Sequence, residues 1–265
     1  MANPNRTDYE GPELSGPGIL WINSKVTDPE SLPVDKFTRW YEDVHIPDII
    51  AARDGGIISS WRYQCANTDR AAPFLAVYKC PNMGFIQSTE FKSIPMTHPT
   101  LPGNGPIHRF ADFDARFLEH IETWSSLDAA DGRTATLVSE AIEPASDLSA
   151  DAFNAWFRSE HIQEVAKLTG WRRTSRFELV FKKENKDDLN SAAKITPHYL
   201  ALHEFADGSD VVPASGVVGS FPPQPSVASK AVLDNARKVD VAAFNFLRGF
   251  GNVGARWVDT EEKRV

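Results

Sequence analysis

The chain has 265 residues, of which 42% are hydrophobic and 24% charged, a composition typical of a folded globular protein. Its net charge of -8 argues against a general nucleic-acid-binding protein, because phosphate binding depends on clustered lysine and arginine. No apolar run approaches the ~20 residues that a membrane-spanning helix needs, and no secretory signal follows Met1, so we expect a cytoplasmic protein. Two cysteines are too few for a disulfide framework or a zinc site of their own.

The predicted elements come in two similar series. A polar arm rich in proline and glycine (1–16) is expected to be flexible and precedes the first series. The first series (17–127) has strands at 18–26, 57–65, 74–80 and 112–124, a helix that includes 37–49 and a weaker helix at 82–94. A linker is predicted at 128–134. The second series (135–252) has strands at 135–142, 173–182, 199–205 and 240–250 and helices at 149–169 and 227–238, before a C-terminal tail (253–265).

One helical phrase occurs in both series. In residues 37–49, Phe37, Trp40, Tyr41 and Val44 follow the i, i+3, i+4, i+7 spacing of a buried helical face. Residues 153–165 repeat this pattern in the same register, with phenylalanine, tryptophan, a second aromatic residue, histidine, isoleucine and an acidic residue. We therefore expect Phe37, Trp40, Phe153 and Trp156 to be buried in equivalent places.

The element order predicts the fold class. Each series reads β-α-β-β-α-β, the ferredoxin-like unit, whose antiparallel sheet carries helices on one face and must bury the other. Two such units in one chain can bury these faces against each other. The prediction is an α+β protein in which two tandem ferredoxin-like repeats form an intrachain α+β barrel.

The repeated helix also resembles a known family. The aromatic pair Trp40-Tyr41, followed by His45-Ile46-Pro47, is similar to the phrase of the EthD-like proteins in the dimeric α+β barrel superfamily. The second copy keeps Trp156 and His161 but has Gln163 in place of proline. The resemblance implies the barrel fold and a polar residue of this helix in the cleft between helix and sheet, and it leaves a homodimer open. It does not define the chemistry, because the superfamily hosts unrelated activities.

The first catalytic candidates are Tyr41, His45 and Asp48, which form an i, i+4, i+7 series. Asp48 is expected to orient the imidazole and leave its other nitrogen free as a base near neutral pH. The alternative is a histidine whose charge only complements the helix dipole. Chemistry in the first half is favoured, because Phe157 in the second half has no hydroxyl.

His98 is the other catalytic candidate. His98-Pro99 resembles the His-Pro-x-His stretch of plant polyketide cyclases of the superfamily, where a histidine acts as the base. Leu101 stands where the final histidine would be. The alternative is a loop histidine beside a turn proline.

Five further residues are predicted to bind substrate: Trp40, Arg62, Tyr78, His161 and His203. Arg62 and its counterpart Arg176 either bind a carboxylate or are surface charges. Tyr78 and His203 lie on matching strands, where alternate side chains point into the barrel. His161 and Glu164 repeat the spacing of His45 and Asp48.

No metal or cofactor is predicted. The His-x-x-Asp and His-x-x-Glu pairs offer two ligands each, and no third ligand is evident from the sequence. The predicted function is a cofactor-independent enzyme of secondary metabolism that uses histidine acid/base chemistry on a hydrophobic aromatic or polyketide-derived substrate, by cyclisation, dehydration or decarboxylation. The alternatives are a non-catalytic small-molecule-binding or stress-response barrel, and a haem-binding or cofactor-free oxidative enzyme of the same fold.

Overall fold

A computed structural model describes residues 9, 11–127, 129, 135–184, 195–206, 211–213, 215–254 and 256–265. The predicted linker at 128–134 lies outside the described residues, except for residue 129. The strands are β1 (Gly18–Val26), β2 (Ser59–Cys65), β3 (Phe74–Cys80), β4 (Ala111–Ser125), β5 (Thr136–Glu143), β6 (Trp171–Glu184), β7 (Tyr199–Phe205), β8 (Lys238–Gly251) and β9 (Glu262–Arg264). The α-helices are α1 (Val34–Trp40), α2 (Ile46–Ala51), α3 (Thr89–Lys92), α4 (Ala150–Trp156), α5 (Ile162–Val165) and α6 (Val227–Asn235).

Eight antiparallel strands close a barrel in the order β1-β3-β2-β8-β5-β7-β6-β4, with β4 pairing back to β1. The pairs β2–β8 and β4–β6 join the two halves of the chain. Within each half, the last strand pairs with the first, and the third lies between the first and second, which is the ferredoxin-like order. The architecture is therefore a mixed α+β barrel with no open sheet edge between its halves.

The barrel interior is a packed core. Along β2, Trp61 and Tyr63 belong to the interior cluster, whereas the alternate residue Arg62 faces the helices, as expected for a strand. Trp257 packs edge-on against Trp61, with ring centroids 4.7 Å apart. The predicted C-terminal tail thus contributes to the core, and its strand β9 pairs in parallel with the end of β4.

The helical phrase forms one continuous helix in each half. In the first, which we call the His45 helix, α1 and α2 are joined by a π-helical turn, Tyr41–His45. In the second, the His161 helix, α4 and α5 are joined by the π turn Phe157–His161. The His161 helix has Gln163 where the first has Pro47, so proline is not the cause of the π turn.

The predicted buried faces are confirmed. Phe37 and Phe153 are at most 1% exposed, Trp40 is 3% exposed and Trp156 is 8% exposed. Each helix packs on the outer surface of the barrel, where it forms an apolar cluster separate from the interior. The fold therefore has three apolar layers: one helix cluster, the barrel interior and the other helix cluster.

The described part of the N-terminal arm is packed against residues of both halves. Leu14 is buried, and its backbone N–H donates to Gln87 Oε1 at 2.8 Å. Tyr9 packs edge-on against Phe181, with ring centroids 5.5 Å apart. Among the described residues, no helix has the length and apolarity needed to cross a bilayer.

Candidate functional site

A cavity of about 140 Å³ lies between the His45 helix and the sheet of the first half. Its walls are mainly aliphatic and aromatic, and three of the predicted site residues, Tyr41, His45 and Tyr78, line it. The remaining lining residues are Leu20, Ile22, Ile49, Phe91, Lys92, Ile94, Met96, His108, Phe113, Ala115, Phe117 and Lys183. An apolar cavity with a few convergent polar groups is the usual form of a small-molecule site.

His45 is the buried imidazole in the wall of this cavity. Its ring stacks on Trp40, with centroids 4.8 Å apart and planes 14° from parallel. Burial lowers the pKa of His45 to about 4, although a hydrogen bond to the Pro95 backbone opposes this shift. Nδ1 is buried without a hydrogen-bond partner. The carbonyl of Pro95 can only accept, so the other nitrogen, Nε2, carries the proton. With a pKa of about 4 the ring is neutral at pH 7, and Nδ1 keeps its lone pair.

Two tyrosine hydroxyl groups meet in the same cavity. Tyr78 donates a hydrogen bond to Tyr41, with the oxygens 3.2 Å apart. Burial raises the pKa of Tyr41, whereas the charge of Arg62 and the hydrogen bond from Tyr78 lower it. The Tyr41 hydroxyl accepts from Tyr78, so its own proton can be donated to a bound molecule.

Arg62 lies behind Tyr41 and not at the surface. Its guanidinium carbon is 4.3 Å from the centre of the Tyr41 ring, and the side chain is fully buried. None of its three nitrogens has a hydrogen-bond partner, and the carboxylate of Glu42 is 3.9 Å from Nε. The interpretation as a surface charge was wrong for Arg62. It was also wrong for Arg176, which is buried and donates to Glu122 and Asn154.

Two lysines and a histidine of the lining were not predicted from the sequence. Lys92, Lys183 and His108 are half-buried, whereas Tyr41, His45 and Tyr78 are buried. The cavity therefore has a buried, largely apolar inner end and a more exposed outer end that carries basic side chains. These residues lie on α3, β6 and the loop before β4, and only the tertiary fold brings them together.

Asp48 does not join the predicted triad. It is exposed, whereas Ile46 and Ile49 are buried. The π turn adds one residue to the helical turn, which shifts the buried face by one position after His45. The expected i, i+7 alignment of Tyr41 with Asp48 therefore fails, and Asp48 does not orient the imidazole.

His98 also lies outside the cavity lining. Its Nδ1 is 2.7 Å from Thr100 Oγ1 and accepts a hydrogen bond from the Thr100 backbone N–H. These contacts stabilise the turn that contains Pro99. The structure thus favours the alternative interpretation of His98, a loop histidine beside a turn proline.

The remaining predicted residues, His161 and His203, meet in the second half and not in the cavity. His161 Nε2 is 2.7 Å from Glu140 Oε2, and His203 Nε2 is 3.3 Å from the same oxygen. Both histidines face the His161 helix cluster, so His203 is one of the alternate β7 residues that point away from the barrel interior. Glu164, whose spacing from His161 repeats that of Asp48 from His45, accepts a hydrogen bond from the backbone N–H of Ser226.

The register of the strands relates the two regions. Tyr78 pairs with Leu20 on β1, and His203 pairs with Val138 on β5. Two residues further along these strands are Ile22, which lines the cavity, and Glu140, which binds both histidines. Ile22 and Tyr78 therefore occupy the positions beside His45 that Glu140 and His203 occupy beside His161.

No family model and no curated protein matches the chain. Solved structures do match. An anthrone oxidase-like protein has a TM-score of 0.55 and 15% identity over 88% of this chain and 93% of its own. Two monooxygenase-like proteins, from Lactobacillus acidophilus (11% identity, covering 89% and 96%) and Fusobacterium nucleatum (10% identity, covering 91% and 96%), each have a TM-score of 0.48.

The chain has the same type of α+β barrel fold as the anthrone oxidase-like protein. At 15% identity the likeness concerns the fold alone, and it agrees with the strand order described above. Membership of the EthD-like proteins stays a prediction, as does assembly into a homodimer.

Proposed function

We propose that this α+β barrel is an enzyme that removes a proton from an apolar aromatic small molecule, with His45 as the base and no resident cofactor. The observation that carries the proposal is that His45 lines an apolar cavity and that its Nδ1 has no hydrogen-bond partner within the protein. A buried polar atom without a partner is costly, and a bound substrate that hydrogen-bonds to it removes this cost.

The base is neutral before the reaction. The low pKa of His45 keeps its lone pair free at neutral pH, but it also makes the imidazole a weak base in the empty cavity. A substrate anion that forms beside the imidazolium favours the charged form and raises this pKa. Proton transfer is therefore coupled to the stabilisation of the substrate anion.

Tyr41 is the group that we assign to this anion. Its hydroxyl accepts a hydrogen bond from Tyr78, which strengthens it as a donor to a substrate oxygen. The guanidinium of Arg62 on the far side of the ring adds a positive field without entering the cavity. A donor placed where negative charge develops is among the largest contributions to enzymatic rate.

The cavity limits the substrate. Cavities of about 150 Å³ in proteins can bind benzene, so a cavity of about 140 Å³ fits one aromatic ring. Lys92 and Lys183 on the exposed side favour a substrate whose outer part carries an acidic group. A phenolic or polyketide-derived aromatic compound has both features.

Two fates of the deprotonated substrate are consistent with this site. The first is cyclisation, dehydration or decarboxylation within the substrate. The second is oxidation by molecular oxygen, which is favoured by the likeness to an anthrone oxidase-like protein. Both begin with the same proton transfer, so the role of His45 does not depend on which fate follows.

We also infer that the barrel arose from two tandem ferredoxin-like repeats of the EthD-like type. Each half has a π turn at the same place in its helix, and the strand order is the same in both halves. The guanidinium of Arg62 also lies over the Tyr41 ring as that of Arg176 lies over the Phe157 ring. In this view the first half kept an open cavity, and the second filled it with charged groups.

The direct test is hydrogen–deuterium exchange at the acidic carbon of the substrate. A panel of resorcinols, with naphthols and anthrones whose further rings would extend to the exposed side of the cavity, is incubated with the protein in D₂O and followed by NMR, while an oxygen electrode detects oxidation. We expect exchange of at least one panel compound, and we expect His45→Gln to slow it by roughly 10²–10⁴-fold. The matched control is His198→Gln, because His198 lies at the surface in a pair with Glu178.

Three results would contradict the proposal. Equal exchange in His45→Gln and the wild type would remove His45 as the base. Ligand binding in the cavity without exchange or turnover would identify a binding barrel. A haem absorption spectrum in the purified protein would indicate the haem alternative.

A further inference from the structure

A buried acidic group lies between two imidazoles in the second half. Glu140 Oε2 is 2.7 Å from His161 Nε2 and 3.3 Å from His203 Nε2. All three side chains are at most 1% exposed, and one potential ligand atom from each lies within 4.8 Å of the others. Strand β5, the His161 helix and strand β7 each contribute one residue, so the cluster exists only in the folded chain.

The carboxylate of Glu140 has the two imidazoles as its polar neighbours. Among the described residues, no lysine or arginine forms an ion pair with Glu140. A buried charge is costly unless a cation is close to it.

We propose that Glu140, His161 and His203 bind one divalent transition-metal ion of the zinc type. Two imidazoles and a carboxylate are a common ligand set for such ions. Glu140 Oε1 is buried without a hydrogen-bond partner, so the carboxylate can bind the ion through both oxygens in a distorted site. The complete burial of the three side chains assigns the ion a structural role and not a place for substrate.

The distances suit this ion after a small adjustment. With metal–ligand bonds of about 2.1 Å, ligand atoms in a tetrahedron lie about 3.4 Å apart. The separation of 3.3 Å between His203 and Glu140 already fits, whereas the 2.7 Å between His161 and Glu140 must widen by several tenths of an ångström. Such a shift is within the reach of side-chain rotation.

The surroundings also fit a metal site. Metal-binding histidines usually donate their second nitrogen to an oxygen atom. His203 Nδ1 is 2.9 Å from Thr174 Oγ1, which is itself held by Trp171 Nε1 at 2.9 Å. On the other side, His161 Nδ1 is buried without a partner.

Glu164 is placed to complete this second layer. Its Oε2 is also buried without a partner. Its other oxygen, Oε1, accepts a hydrogen bond from the Ser226 backbone N–H, which holds the carboxylate in place on the His161 helix. Two carboxylates, Glu140 and Glu164, then balance the two positive charges of the ion.

The first half provides an internal contrast. The places that correspond to Glu140 and His203 hold Ile22 and Tyr78, so His45 has no partner ligands. The sequence offered only the His161–Glu164 pair, of which only His161 is a ligand here, and the other two ligands come from strands β5 and β7. This site is independent of the proposed catalytic role of His45.

The test uses untagged full-length protein that is stripped with a chelator and titrated with Zn²⁺ or Co²⁺. We expect one ion per chain by elemental analysis, visible Co²⁺ absorption of a low-coordinate site, and a higher Tm with the metal. Glu140→Gln should weaken binding at least about 100-fold, and Thr174→Val or Glu164→Gln about 10–100-fold. His198→Gln, which alters a surface histidine–glutamate pair with no third ligand, should bind like the wild type.

Failure of the wild type to retain Zn²⁺ or Co²⁺ would overturn the proposal, and so would unchanged binding by Glu140→Gln. If that variant does not fold, anomalous diffraction from wild-type crystals grown with Zn²⁺ or Co²⁺ decides the question. A peak between the three side chains is expected. A peak elsewhere, or none, would show that the cluster holds only hydrogen bonds.

Discussion

The indole of Trp40 stacks on the imidazole of His45, with centroids 4.8 Å apart and planes 14° from parallel. The corresponding rings of Trp156 and His161 are equally close but are tilted by 42°. The difference follows from their partners, because His161 is turned towards Glu140, whereas His45 has no carboxylate partner. The same helical phrase therefore presents an available imidazole in one half and a bound one in the other.

The pH dependence of activity should report His45. With the pKa of the free enzyme at about 4, we expect kcat/KM to be constant near neutral pH and to fall as the pH decreases through about 4. The measurement is the rate of proton exchange in buffers from neutral pH to the acid limit of folding. A decline centred near 6.5, the ordinary histidine value, would show that the base is a solvated imidazole elsewhere.

The same group should affect stability. The folded pKa of His45 lies below its unfolded value of about 6.5, so the folded state binds fewer protons between the two values. Its contribution is fully present above pH 6.5 and is lost as the pH falls from 6.5 towards 4. Urea unfolding at several pH values should show this slope, and His45→Gln should reduce it. An unchanged slope in the variant would assign the effect to other groups.

Filling the cavity should separate binding from stability. Ala115 lines the cavity, so Ala115→Leu places a larger side chain in the space meant for the substrate ring. We expect the free energy of unfolding to stay equal or to rise by about 0.5–2 kcal/mol, because the substitution fills a void. Ligand affinity and exchange activity should fall together. Retained activity at unchanged stability would place the substrate elsewhere.

The two buried arginines should differ in their contribution to stability. Arg176 donates to Glu122 and Asn154, whereas none of the nitrogens of Arg62 has a hydrogen-bond partner. Arg176→Met should cost about 2–3 kcal/mol, because it removes a charge-assisted hydrogen bond to Glu122 and a second hydrogen bond to Asn154. Arg62→Met should cost less than about 1 kcal/mol, because a buried charge without a good partner contributes little. Denaturant melts compare the two directly, and equal losses would contradict this account.

The tryptophans of the repeated phrase should contribute strongly to stability. Trp40 and Trp156 are both buried in the helix clusters. Replacing either by alanine should cost on the order of 3–5 kcal/mol, since a large side chain is removed from a packed core. Denaturant melts of both variants measure this loss. A loss below 1 kcal/mol would show that the helix face has been assigned wrongly.

The sequence alone predicted most of the secondary structure and the faces of its helices. Strands β1, β3 and β7 occur at the predicted residues. Each strand is a run of apolar and β-branched residues between turn residues, a pattern that is visible in the local sequence. The burial of Phe37 and Trp40 followed from helical periodicity in the same way. The repeated phrase also predicted that two sheets would close into one barrel.

The tertiary structure decided which polar residues meet. A π turn, which leaves no periodic signal in the sequence, turned Asp48 to solvent while keeping Tyr41 and His45 together. The contacts of Glu140 with His161 and His203 depend on strand register and span 21 and 63 residues. Local spacing determines the face on which a side chain lies, but distant partners and a cavity depend on how whole elements pack.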